Sequence, residues 1–147
     1  MSNYLDTTDA QTYFDGRLST DAWDDASSAD KTKALTMATR AIDALNFQGE
    51  KTVSTQEHQF PRGGDLTVPQ EILDATCEVA LSLLDGNTID EAYQRSRISS
   101  ERYATVGTTY NNDLPEIHVL NGIPSIVAWQ LLKPFLRDPR AIAIDRA

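Results

Sequence analysis

Val68-Pro-Gln-Glu-Ile-Leu-Asp-Ala-Thr-Cys-Glu-Val-Ala-Leu-Ser-Leu-Leu-Asp-Gly86 carries a helix start, an apolar arc and a helix stop in succession. Pro69 suits the first turn, where its missing N–H is not needed, and Gly86 suits the left-handed residue that closes a helix. Between them Ile72, Leu73, Thr76, Cys77, Val79, Ala80, Leu83 and Leu84 form a broad apolar arc. Glu71, Asp74, Glu78 and Asp85 recur at helical spacings on the other side. The pattern predicts a central helix covered by protein on most sides, with one acidic stripe left to water.

The elements on either side read as the cover. Thr8 with Gln11 three residues on is a capping-box pattern, and Ala10, Tyr13, Phe14 and Leu18 then share a face, which predicts a short helix over 9–18. Residues 19–30 are rich in capping and turn residues, with Trp23 as the large apolar group that pins a turn of helix to the core. Ala34, Leu35, Ala38, Ala41, Ile42 and Leu45 trace a stripe from about residue 29 to 45, and its alanines allow close approach to the central helix. Residues 50–67 turn polar and predict a long loop or weak hairpin, punctuated by Phe60-Pro-Arg-Gly-Gly64. Thr88 with Glu91 caps another short helix to about Ser96. The Ile, Ser, Thr, Tyr and Val of 97–110 favour an extended arm.

After the turn at 111–115, Gly122-Ile-Pro-Ser125 begins a last helix with Pro124 in its first turn. Ile126, Val127, Trp129, Leu131, Leu132, Phe135 and Leu136 make that helix apolar nearly all round, and Pro134 should kink or stop it. The fold class is therefore mainly α. It is a small helical bundle around a central helix, with an extended loop or β-hairpin arm, a C-terminal helix and a tail. The expected organisation is one domain over 1–136, with arms at about 50–67 and 97–111, and a tail at 137–147.

Composition narrows function. Thirteen Lys and Arg against 22 Asp and Glu give a formal charge of −9, which repels nucleic-acid phosphates and anionic membranes. The one cysteine, Cys77, lies on the apolar arc and reads as a buried hydrophobe. The N-terminus has no basic start or apolar run of a secretory signal, and no stretch approaches a membrane span. Asp21, Asp24, Asp25 and Asp30 lack the spacing of a calcium loop. Arg62-Gly-Gly64 lacks the lysine of a phosphate loop, and His58 and His118 have no partners at metal-ligand spacing. No catalytic, metal or cofactor residues are expected.

Certain stretches do carry a resemblance: Tyr13-Phe14, Ala22-Trp23, Lys33-Ala-Leu-Thr-Met-Ala-Thr-Arg-Ala-Ile-Asp-Ala-Leu45, Phe60-Pro-Arg62, and Val68-Pro69 running into Cys77-Glu-Val-Ala-Leu81. In this order they resemble the head–tail connector, or adaptor, proteins of tailed bacteriophages. Related phage sequences are labelled DnaT-like single-stranded-DNA-binding proteins, a competing implication. The connector resemblance implies a structural virion protein, assembled in the host cytoplasm. Copies of it would form a ring, commonly twelve-fold, between the portal protein and the tail or nozzle proteins, with DNA passing through unheld.

By position, Trp129, Leu132, Phe135, Leu136, Arg137, Arg140, Ile142 and Ile144 would form the partner interface. The stripe of Glu71, Asp74, Glu78 and Asp85 would face the lumen or solvent. Because the charge is acidic and the aromatics sit on apolar helix faces, the connector role is expected ahead of DNA binding.

Overall fold

The computed structural model describes residues 2–94 and 117–137. The arm expected at 97–111 and the tail beyond Arg137, with Arg140, Ile142 and Ile144, lie outside the described residues. The chain runs α1 (Thr7–Asp15), α2 (Asp21–Asp24), α3 (Ser28–Asp43), α4 (Gln70–Leu84), α5 (residues 89–94), α6 (Ile117–Leu120) and α7 (Ile126–Leu132). A 3-10 turn over Lys133–Phe135 follows. Among the described residues, extended pairing is limited to two isolated antiparallel bridges, Phe47 with Leu136 and Lys51 with Arg62. The expected mainly helical bundle is the observed one.

α4 is its centre: α1, α2, α3 and α7 all pack on it. Ile72, Ala75, Cys77, Val79 and Ala80 are completely buried. Ala34 and Ala38 of α3 are also buried, and small side chains on both helices let their backbones approach closely. The two buried threonines return their hydroxyls to their own helices, Thr39 Oγ1 to Leu35 O (2.9 Å) and Thr76 Oγ1 to Ile72 O (2.8 Å). Neither therefore leaves an unpaired polar atom in the core. Gly86, at φ +86°, lets the chain turn back so that Asn87 N–H reaches Ser82 O. A side chain with a Cβ would resist that conformation.

Helix boundaries move by a few residues from those read in the sequence. Asp6 caps α1 by accepting from Asp9 N–H (2.9 Å). Thr8 lies inside the helix, and Gln11 is used instead to accept from the indole of Trp23 (2.9 Å). Pro69 is the N-cap of α4 rather than its first helical residue. Ser125 caps α7, so Pro124 precedes the helix. Thr88 does accept from Glu91 N–H, as the capping pattern requires. Pro134 ends the α-helical hydrogen bonding, and the chain tightens into the 3-10 turn.

Trp23 is fully buried against Phe14, with ring centroids 4.6 Å apart, and Lys31 Nζ lies 5.1 Å from its ring. The 50–67 segment is better anchored than its composition suggests. Phe60 is buried between Phe47 (4.7 Å) and Phe135 (5.7 Å), which ties the loop to the C-terminal turn.

Cys77 is buried as expected, and burial pushes its thiol up to about 12, with Asp74, Glu78 and Asp9 adding to the shift. The unfolded thiol ionises near 9.0, so between pH 9 and 12 the unfolded state has lost a proton that the folded state retains. This contribution is intact below pH 9 and is lost on going up, by at most about 1.4 kcal/mol per pH unit. Burial shifts Tyr4 and Tyr13 upward too, which acts in the same direction. The thermal midpoint is expected to fall steadily above pH 9, and less steeply in Cys77→Ala.

Candidate nucleic-acid interface

The acidic stripe is not a single wet face. Glu71 and Asp85 are exposed and Asp74 is half-buried, accepting from Gln70 Nε2 (2.9 Å). Glu78 is buried. Its Oε1 accepts from Tyr13 Oη–H and Arg17 Nε–H, both at 2.6 Å, and its Oε2 accepts from Arg17 Nη2–H at 3.0 Å. The carboxylate therefore joins α4 to α1 and the turn after it. The expectation that Glu78 lines a lumen or solvent face is corrected, because a charge held by a two-pronged guanidinium and a phenol is a packing element.

Arg62 is likewise committed. All three of its guanidinium nitrogens donate within the loop, to the carbonyls of Phe47, Gln48, Gly49 and Gln59 and to Gln59 Oε1. It serves as the clasp of the 45–65 loop and has no donor left for a phosphate.

His58 forms a second clasp that the sequence did not reveal. Its Nδ1 lies 2.6 Å from Asp43 Oδ2, and its Nε2 lies 3.0 Å from Ser2 O and 3.1 Å from Ser2 Oγ. Asp43 Oδ1 also accepts from Tyr4 Oη–H and from Gln59 N–H (3.1 Å). Serine, histidine and aspartate thus stand in the order of a hydrolytic triad. The Ser2 hydroxyl, however, donates to Glu57 Oε2 (2.8 Å) rather than to the imidazole. The arrangement ties the N-terminal segment and the loop to the end of α3. His118 is also structural, its Nδ1–H donating to Ile123 O (2.8 Å). Among the described residues no group of three or more His, Cys, Asp or Glu is placed to hold a metal ion. No described helix is long and apolar enough to cross a membrane.

The residues expected to form the partner interface divide. Trp129 and Leu132 are buried, and Phe135 and Leu136 are half-buried against the same core, so the C-terminal helix docks on its own bundle. One face of α7 packs on α4, which accounts for most of its apolar residues. Ile126 and Val127 remain exposed. Arg137 is exposed, at the rim of a groove of ≈ 340 Å3.

Leu45, Ile117, Trp129 and Leu136 supply the apolar walls of that groove, and Asn46, Asn121, Lys133 and Arg137 supply its polar groups. Its walls are locked by main-chain bonds: Arg137 N–H donates to Asn46 O and Gln48 N–H to Phe135 O, each at 3.0 Å. Among the described residues no carboxylate lines it. Neither Lys133 nor Arg137 is in an ion pair among the described residues. By contrast, a groove of ≈ 380 Å3 beside Arg17 is lined by Asp21, Glu78 and Asp85.

The described residues thus define a small helical protein with one strongly acidic groove and one cation-rimmed, apolar-walled groove. Residues 2–145 match the family described as "Putative DnaT-like ssDNA binding protein", and the chain belongs to that family. The match corrects the reading as a virion head–tail connector in favour of its competing implication, the DnaT-like label, and it lends no support to a ring or to portal and tail partners. Searches of the curated proteins and of the solved structures find no match to the chain.

Proposed function

We propose that this protein binds single-stranded DNA without catalysis, and that the groove between the end of α3, α6 and α7 is part of its binding surface. The observation that carries the reading is the composition of that groove: two cations and a tryptophan, with no carboxylate among the described residues that line it. Sequence-tolerant single-strand binders combine a positive track with apolar or aromatic platforms. The formal charge of −9 is an average over an uneven chain. Residues 1–94 hold 17 of the 22 acids, whereas residues 95–147 hold seven of the 13 basic residues against five acids. In sequence, Arg95, Arg97 and Arg102 stand close to Tyr103 and Tyr110, so the same third of the chain contributes further groups of the required types.

Fluorescence anisotropy of a labelled oligo-dT strand tests the reading. Binding is expected at low ionic strength, weakening as salt rises. Lys133→Ala and Arg137→Ala should each reduce the slope of log affinity against log salt by about 0.7. A strand that shows no anisotropy change at low salt would exclude single-strand binding.

A further inference from the structure

Resting on the single-strand reading, we propose that the groove at Trp129 seats one unstacked base of the strand, with the flanking phosphates on Lys133 and Arg137. The floor is apolar, with Leu45 and Trp129 each only 7% exposed. Asn46, Asn121, Lys133 and Arg137 are all exposed at the groove's edge. A flat ring with apolar faces, a polar edge and an attached anion is the chemistry such a cavity complements. Its volume of ≈ 340 Å3 is at the small end of ligand sites, about the scale for one base and its sugar rather than a stack of several.

Two features suit the cavity to a base rather than to a phosphate alone. The first is its amides. Asn121 Nδ2 donates to Ile117 O (2.9 Å), which orients that side chain at the wall. A carboxamide offers both a donor and an acceptor, so it can meet the polar edge of any base without selecting one. The second is rigidity. The main-chain bonds between Asn46 and Arg137 and between Gln48 and Phe135, with Gln48 Nε2 donating to Pro134 O (3.1 Å), hold the two walls at a fixed separation. A preformed slot spends little binding energy on ordering itself. A paired base, stacked in a duplex with its edge occupied, cannot enter, so the groove supplies a physical basis for preferring single strands.

The test uses the full chain and three labelled probes of equal length: oligo-dT, an abasic sugar-phosphate oligomer and a duplex. Oligo-dT is expected to bind about tenfold more tightly than the abasic strand. Asn121→Ala should weaken oligo-dT binding more than abasic binding and so remove most of that difference. Addition of oligo-dT should also quench tryptophan fluorescence, and the quench should vanish in Trp129→Phe, where Trp23 remains as an internal reference and circular dichroism confirms the fold. Equal binding of oligo-dT and the abasic strand would overturn the base slot while leaving single-strand binding in place. Failure of both probes to bind would overturn the functional reading itself. A quench that persists in Trp129→Phe would place the contacted base elsewhere and also overturn the slot.

Discussion

Arg17→Ala is expected to lower the unfolding free energy by about 3–5 kcal/mol, the usual cost of stranding one member of a buried ion pair. The Glu78 side chain is 4% exposed and that of Arg17 29%, so the carboxylate is the member that suffers when its partner is removed. Tyr13 alone would then face a desolvated charge. The same guanidinium donates to the carbonyls of Leu18 (2.6 Å) and Ser19 (3.2 Å). Ser19 sits at φ +60°, a left-handed conformation that costs about 1–2 kcal/mol for a residue with a Cβ. Arg17 therefore holds both the charge and the strained turn. Urea denaturation of Arg17→Ala, Glu78→Leu and the double variant measures this. The double variant should lose less than Arg17→Ala, since an apolar replacement leaves no orphaned carboxylate. A loss below about 1 kcal/mol in Arg17→Ala would show the pair to be screened like a surface bridge.

Asp43→Ala should cost about 3 kcal/mol or more, because one carboxylate accepts from three groups on two separate parts of the chain. Tyr4 belongs to the N-terminal segment, while His58 and Gln59 belong to the loop that follows α3. Without Asp43 the Tyr4 hydroxyl, the His58 ring N–H and the Gln59 amide all lose their acceptor in a partly buried setting. The expected signature is local as well as global. Trypsin should cut at Lys51 faster in Asp43→Ala than in the native protein, and Tyr4→Phe, which removes one donor, should show a smaller effect. Unchanged cleavage and a loss within about 1 kcal/mol would mean that the aromatic contacts of Phe60 hold the loop by themselves.

Both predictions concern residues whose roles could not be read from local patterns. Glu78 falls at the right spacing to join Glu71, Asp74 and Asp85 on a wet stripe. What removes it from that stripe is Arg17, 61 positions away in the chain. His58 and Asp43 are 15 residues apart and Ser2 is 56 from His58. Helical periodicity carries no information on which distant loop closes over a helix end. The same holds for the candidate DNA groove, whose walls come from the end of α3, from α6 and from the last helix.

The helical class, the central place of α4, the burial of Cys77 and Trp23, and the end of α7 at Pro134 were all legible in the amino-acid order. These follow from side-chain period and backbone chemistry within single segments. Which charges are available to a partner followed from the folded packing. Contacts made in space took Glu78 out of the solvent stripe through Arg17 and consumed Arg62 in hydrogen bonds to its own loop, while Lys133 and Arg137 stayed at the rim of a groove with no acid among its described lining residues. A net charge summed over the chain argues against contact with DNA. A phosphate responds mainly to charges within about 8–10 Å in physiological salt, so the charges that line a groove bear on it more than the sum over the chain does.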